Sequence, residues 1–344
     1  MNDVLSWQNF LASFPINNPT KENTSSPCLL MDLSYLGLIS IAGEDSLTFL
    51  QGQLSCDLNQ LSGDHCLLGS LNTPKGRSVS TLTLAKLNNT IHMLLHKDLT
   101  ADVLQVLGKY IVFSKASLED QSNQLICFGV SGESARETIS ELLPPPLNDY
   151  DISHKENLHC VKIPGTITRY LFLAPSIEAQ EAWTALSKNS AIVSHTQWQL
   201  ENIEAGIAEV HAGIKEQFLP HNLNLHLTGG VSFEKGCYTG QEVIARMHYR
   251  AKLKTELFIC ELERCNENTT STDQLDGLAI LEATNRNLGE IINAAYLEKG
   301  KIKALAMLPT KELEEGLTKK KVQINNQEFN LNKVERPPYA INNK

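Results

Sequence analysis

G-G-V-S-F-E-K-G-C-Y-T-G-Q-E-V-I-A-R, from Gly229 to Arg246, sets a single thiol, Cys237, between Lys235-Gly236 and Tyr238-Thr239-Gly240. Glycines on both sides permit backbone angles that side chains forbid and allow close approach of a ligand or a second segment. The residues after Gly240 read as a short helix with Val243, Ile244 and Met247 on one face. Cys237 then precedes a helix N-terminus, with Lys235 beside it and Arg246 nearby, surroundings that favour the reactive thiolate. A glycine-rich turn with a packed, inert cysteine fits the same residues.

The chain has 344 residues and a mass of 38.1 kDa, too long for one comfortable core, so two or three domains are expected. With 42% hydrophobic and 20% charged residues, it has the composition of a soluble globular protein. A net charge of −9 gives no global attraction to nucleic acid or to an anionic membrane. No stable nucleic-acid binding is expected. No apolar run approaches the roughly 20 residues that span a bilayer, so no membrane association is expected. The N-terminus lacks the basic start and apolar core of a secretion signal. Cysteines at positions 28, 56, 66, 127, 160, 237, 260 and 265 form no C-x-x-C and show no zinc or cluster spacing. Free thiols in a reducing cytoplasm are the expectation, with no metal site.

Periodicity places strands over Cys28–Ala42, a helix from Gly43, strands at His65–Ser70, Val79–Leu87 and Ile91–Leu95, a helix over Asp98–Lys109 and a strand at Tyr110–Ser114. Asn88-Asn89 is a hairpin turn. From Leu125 the order is strand, helix (Gly132–Leu143), strands at Leu158–Ile163 and Thr168–Leu173, helix (Ser176–Leu186) and strand (Ile192-Val193), the β-α-β-β-α-β order of a ferredoxin-like unit. A helix covers Gln197–Glu209, and residues 210–234 are loop-like. From Lys252, six short strands separated by polar turns predict a small antiparallel barrel.

Several side chains outside the opening stretch have two readings. Trp198 offers a flat face for an aromatic ligand, or is a core tryptophan of an amphipathic helix. Glu204 can accept hydrogen bonds from a ligand's N–H groups, or is a solvated helix glutamate. Lys75 and Arg77 flank Gly76 in a turn and can meet a carboxylate, or are two exposed basic residues. His221, His226 and His248 can serve Cys237 as a base, or are surface or hydrogen-bonded histidines.

K-G-C-Y-T-G-Q-E at Lys235–Glu242 resembles the signature of the YgfZ family, folate-binding proteins related to the glycine-cleavage T-protein (aminomethyltransferase). Further matches are F-L-Q-G-Q-L at Phe49–Leu54, K-G-R at Lys75–Arg77, Y-I-V-F-S-K at Tyr110–Lys115 and N-I-E-A-G-I at Asn202–Ile207, so the resemblance covers most of the chain in the family's order. It implies a three-domain α+β T-protein-like fold: a discontinuous folate-binding domain of residues 1–118 plus 196–250, a ferredoxin-like domain of 119–195 and a C-terminal β-barrel of 251–338. It implies tetrahydrofolate or a related folate as ligand, against Trp198 and Glu204, with Arg77 toward the carboxylate tail. A second family tryptophan falls on Leu36 here, with Tyr35 next to it, which weakens one side of the pocket or passes the stacking role to Tyr35.

The implied function is support of iron–sulfur clusters in client enzymes, including those that modify tRNA, through Cys237 assisted by Lys235. T-proteins carry an acidic pair that assists methylene transfer, and this chain has Ser80-Thr81 at about that place, which argues against aminomethyl transfer. A one-carbon transferase and a non-catalytic docking adaptor remain the alternatives, and whether the chain is an enzyme stays open.

Overall fold

A computed structural model describes residues 2–16, 27–250, 254–265, 274–297, 300–310 and 320–340. From the N-terminus the chain forms α1 (Asn2–Leu11), β1 (Leu29–Asp32), β2 (Leu36–Ala42), α2 (Ser46–Gln51), β3 (Leu67–Asn72), β4 (Ser78–Leu87), β5 (Thr90–His96), α3 (Thr100–Ile111) and β6 (Ser117–Asp120). It continues with β7 (Leu125–Ser131), α4 (Ala135–Ser140), β8 (Ile152–Lys155), β9 (Leu158–Ile163), β10 (Arg169–Pro175), α5 (Ser176–Leu186), β11 (Ala191–Val193), α6 (Thr196–Ala205) and α7 (Gln241–Arg250). The last strands are β12 (Thr255–Arg264), β13 (Ala279–Glu282), β14 (Asn287–Tyr296), β15 (Lys301–Pro309), β16 (Lys320–Ile324) and β17 (Gln327–Glu335). They make a six-stranded sheet β11-β1-β7-β10-β9-β8, a five-stranded sheet β3-β4-β5-β2-β6 and a closed barrel β12-β15-β14-β13-β16-β17. The chain divides into two units, one of Met1–Gln51, Asp57–Leu67 and Leu82–Trp198, the other of Gly52–Cys56, Leu68–Thr81 and Gln199–Lys344.

In the first unit the expected ferredoxin-like order is present as β7, α4, β9, β10, α5 and β11. Its sheet also takes in β1, which lies between β7 and β11, antiparallel to the first and parallel to the second. Phe128 and Phe172 face each other across β7 and β10 with parallel rings 4.8 Å apart. Trp7 of α1 meets Trp183 edge-on at 5.4 Å, so the N-terminal helix completes this core. Asn88 and Asn89, both with positive φ, turn β4 into β5 as the sequence predicts.

One expectation in this unit is corrected, and one strand is added. Tyr110–Ser114 is not a strand: α3 runs on through Ile111, and Val112 and Phe113 stand in a turn, 70% and 93% exposed. The spacing Leu99, Val103, Leu107, Ile111 continues the helical period, and the β-branched and aromatic run concealed it. The hairpin strand β8 went unpredicted because Ile152-Ser153-His154-Lys155 holds one apolar residue.

In the second unit all six barrel strands fall where the sequence places them. The interior is filled by Phe258, Ile280, Ile291, Leu308, Phe329 and Leu331, among others. Closure leaves no strand edge unpaired. Helix α6 stops at Ala205 rather than Glu209. Gly206 takes φ +72° and the amides of Gly206 and Ile207 donate back to Ile203 and Asn202, a Schellman cap. A Cβ at Gly206 would lie 2.5 Å from Pro337 and 2.7 Å from the Tyr339 ring, so glycine also admits the C-terminal segment.

Candidate functional site

The Cys237 loop lies in the second unit and is seated along its length on the segment Gly52–Cys56. The Ser55 hydroxyl donates to the Gly230 carbonyl at 2.5 Å, and the Ser232 amide donates to the Ser55 carbonyl at 2.9 Å. The Thr239 amide donates to the Gly52 carbonyl at 3.2 Å. Between these ties the Lys235 ammonium donates to the carbonyls of Leu54 and Cys56 at 2.8 and 2.7 Å, and lies 5.0 Å from the Tyr238 ring centroid. Lys235 and Tyr238 are buried, 8% and 7% exposed, while Gly236 and Cys237 between them are exposed.

Among the described residues, which include all eight cysteines, Cys237 is the exposed thiol. Burial pushes the thiols of Cys28, Cys66 and Cys160 up from the usual range and that of Cys260 up to about 12. Those four are held as neutral thiols at neutral pH.

The turn that carries Arg77 abuts the same loop. Thr73 and Arg77 close it, with the Thr73 amide donating to the Arg77 carbonyl and Gly76 to the Thr73 carbonyl, both at 2.8 Å. Gly240, at φ +85°, lies against it: a Cβ there would stand 2.6 Å from the Thr73 carbonyl and 2.9 Å from the Gly76 Cα. The Arg77 guanidinium is exposed and bonds the Gln217 carbonyl. Beyond Gly240, α7 begins as expected, with Ile244 fully buried.

His221, His226 and His248 gather into one aromatic group. The rings of His221 and His226 are 4.6 Å apart, that of His248 is 5.9 Å from His221, and Phe233 stacks on His248 at 3.8 Å. Burial first, then the neighbouring imidazoles, lowers His221 and His226 to about 4, so both are neutral at physiological pH. Neither ring nitrogen of His221 has a hydrogen-bond partner among the described residues.

Glu204, at the end of α6, holds Lys303 of β15 in an ion pair at 2.6 Å and is 30% exposed at its side chain. In the first unit Trp198 is 2% exposed. The Arg169 guanidinium lies over its ring at 5.0 Å, and a Cβ at Gly129 would stand 2.7 Å from its Cε3. Tyr35 lies 5.4 Å from the His195 ring and 5.6 Å from His96. Leu36 lines a cavity of about 20 Å³ with Trp7 and Cys127, room for about one water.

The GCVT N-terminal domain model matches residues 14–227. The tRNA-modifying protein YgfZ of Hamiltonella defensa is 30% identical over 285 residues, 82% of this chain and 83% of that protein. The chain belongs to the YgfZ family. The Yersinia pseudotuberculosis protein of the same name is 30% identical over 70% of this chain and 73% of its own length. The crystal structure of glycine cleavage system aminomethyltransferase T from Bartonella henselae superposes with a TM-score of 0.70 at 14% identity, covering 93% of this chain and 90% of that one. It shows the α+β T-protein-like fold, with a C-terminal antiparallel barrel, expected from the sequence.

Within the second unit, three motifs of the YgfZ resemblance meet. Gly52–Leu54, from the end of F-L-Q-G-Q-L, seats the Cys237 loop, and the K-G-R turn packs on Gly240. Sequence reading missed Ser55 and Tyr238 as supports of that loop, Lys303 as the partner of Glu204, and Arg169 as the cover of Trp198. The Ser55 hydroxyl also lies 3.0 Å from that of Ser70, whose hydroxyl donates to Asn72, a buried polar chain. Its only sequence signal is polar residues within strands. Ser80 donates to the Thr81 carbonyl and the Thr81 hydroxyl accepts from the Val210 amide at 3.0 Å.

Proposed function

We propose that this protein binds tetrahydrofolate or a related folate and supports the assembly, repair or maintenance of iron–sulfur clusters in client enzymes, tRNA-modifying enzymes among them. The carrying observation is Cys237, exposed between two buried anchors while the thiols of Cys28, Cys66, Cys160 and Cys260 are held neutral by burial. An exposed thiol can give up its proton and, as a thiolate, ligate an iron of the client's cluster. The names of the two relatives support the link to tRNA modification. A direct grip on tRNA is disfavoured by the net charge of −9, and binding of that kind would be weak and abolished by salt.

Folate binding is supported by the T-protein-like fold and by side chains that suit its polar ends. The Glu204 side chain is 30% exposed and, beside its bond to Lys303, can accept from a pterin's amino and N–H groups. The exposed Arg77 suits a glutamyl carboxylate. Trp198 fits less simply, because Arg169 covers it and a stacked pterin would have to displace that guanidinium. Lys235 suits a supporting part in the Cys237 site. A folate bound here supplies a reduced one-carbon carrier. Ser80 and Thr81 lack an ionised acid, so aminomethyl transfer is not part of the reading.

Tetrahydrofolate added to the full chain is expected to quench tryptophan fluorescence saturably. Glu204→Gln should weaken binding about tenfold, the loss of roughly one charge-assisted hydrogen bond. Trp198→Ala should remove most of the signal. Saturable binding that ignores both substitutions would place the folate elsewhere.

A further inference from the structure

Lys235 and Tyr238 are buried on either side of the exposed pair Gly236-Cys237. A buried ammonium is costly unless its N–H groups are satisfied. Here two of the three go to backbone carbonyls at 2.8 and 2.7 Å, and the cation also lies by the Tyr238 ring at 5.0 Å. Those carbonyls belong to Leu54 and Cys56, 181 and 179 positions away in the chain. The neighbouring ties from Ser232 to Ser55 and from Thr239 to Gly52 run to the same short segment.

We infer that Lys235 is a positioning residue: its ammonium fastens the loop to the Leu54 and Cys56 carbonyls and so presents Cys237 at the surface. The inference rests on the reading in which Cys237 is the working group. It assigns the cation to the backbone beneath the loop rather than to the sulfur. The K-G-C-Y order then has a mechanical meaning, with Lys and Tyr as inward anchors and Gly-Cys as the displayed pair.

The test uses the full-length chain with Lys235→Met and Lys235→Arg, and has two readouts. Hydrogen exchange follows the Ser232 and Thr239 amides, and iodoacetamide modification of Cys237 is followed against pH. Lys235→Met is expected to lower protection of both amides at least tenfold while leaving the pH midpoint of alkylation where it is in the wild type. Lys235→Arg, which keeps a cation with several donors, is expected to retain most of the protection and guards against a methionine variant that fails to fold. An upward shift of the midpoint by a unit or more with protection intact would overturn the inference, since Lys235 would then act on the thiol. Unchanged protection with an unchanged midpoint would overturn it as well. Both readouts need neither folate nor client, so they fail independently of the functional reading, which Cys237→Ser tests through client activity.

Discussion

Gly240→Ala is expected to destabilise the second unit by about 2–5 kcal/mol, combining the cost of a left-handed alanine with that of overpacking. The added Cβ would stand 2.6 Å from the Thr73 carbonyl and 2.9 Å from the Gly76 Cα, both backbone atoms of a closed turn, at φ +85°. No flexible side chain is there to give way. The strain falls where the K-G-R turn, the Cys237 loop and the start of α7 meet, so exchange protection of the Thr239 amide should drop along with the urea midpoint. Gly108→Ala is the control: it lies within α3, nothing stands within 4 Å of its added Cβ, and it should be neutral or stabilising by about 0.5–1 kcal/mol. A Gly240→Ala chain as stable as wild type would mean that the two turns are not held in this contact.

The second large effect is acid sensitivity. Burial lowers His221 and His226 to about 4, with the rings of His226 and His248 adding to it at His221 and that of His248 at His226, against 6.5 for a free imidazole. Above pH 6.5 both rings are neutral folded and unfolded, and their contribution is constant. Between pH 6.5 and 4 the unfolded chain binds protons that the folded chain does not, so stability falls as pH falls. Below 4 both states are protonated and this loss levels off. At about 1.4 kcal/mol per pKa unit, each ring accounts for on the order of 3 kcal/mol over the window. His221→Phe keeps a flat ring and removes one titration, so its urea midpoint should fall less steeply between pH 6.5 and 4.5 than that of the wild type. Parallel slopes would show that the imidazole is already solvated in the folded chain.

The legible parts of the fold were those with strong local periodicity. The six barrel strands, α5 from Ser176 to Leu186 and the Asn88-Asn89 hairpin are all written in alternation, helical spacing or turn residues. Tyr110–Ser114 was misread because its residues favour strands one by one while their spacing continues a helix. Periodicity overextends α6 because Ile207 and Ala208 continue its apolar spacing, and the cap depends on backbone bonds from Gly206 and Ile207. In the candidate site, Cys237 stood out because it sits in a string that turn chemistry does not demand. The partners of Lys235 were illegible for a physical reason: they are backbone carbonyls, which leave no mark on residue type, about half a chain away. The covering of Trp198 by Arg169 was hidden likewise, since an arginine on a strand does not announce an inward stack.

The most direct measurement is the activity of an iron–sulfur, tRNA-modifying client in cells that lack this protein and carry either the wild-type chain, Cys237→Ser or Gly236→Trp. Gly236 is exposed and a Cβ there meets nothing within 4 Å, so the tryptophan adds bulk beside the thiol at the surface. Cys237→Ser is expected to fold normally and to lose most client support. Full support from Cys237→Ser, with loss in Gly236→Trp, would contradict a working thiol and make the loop a docking surface.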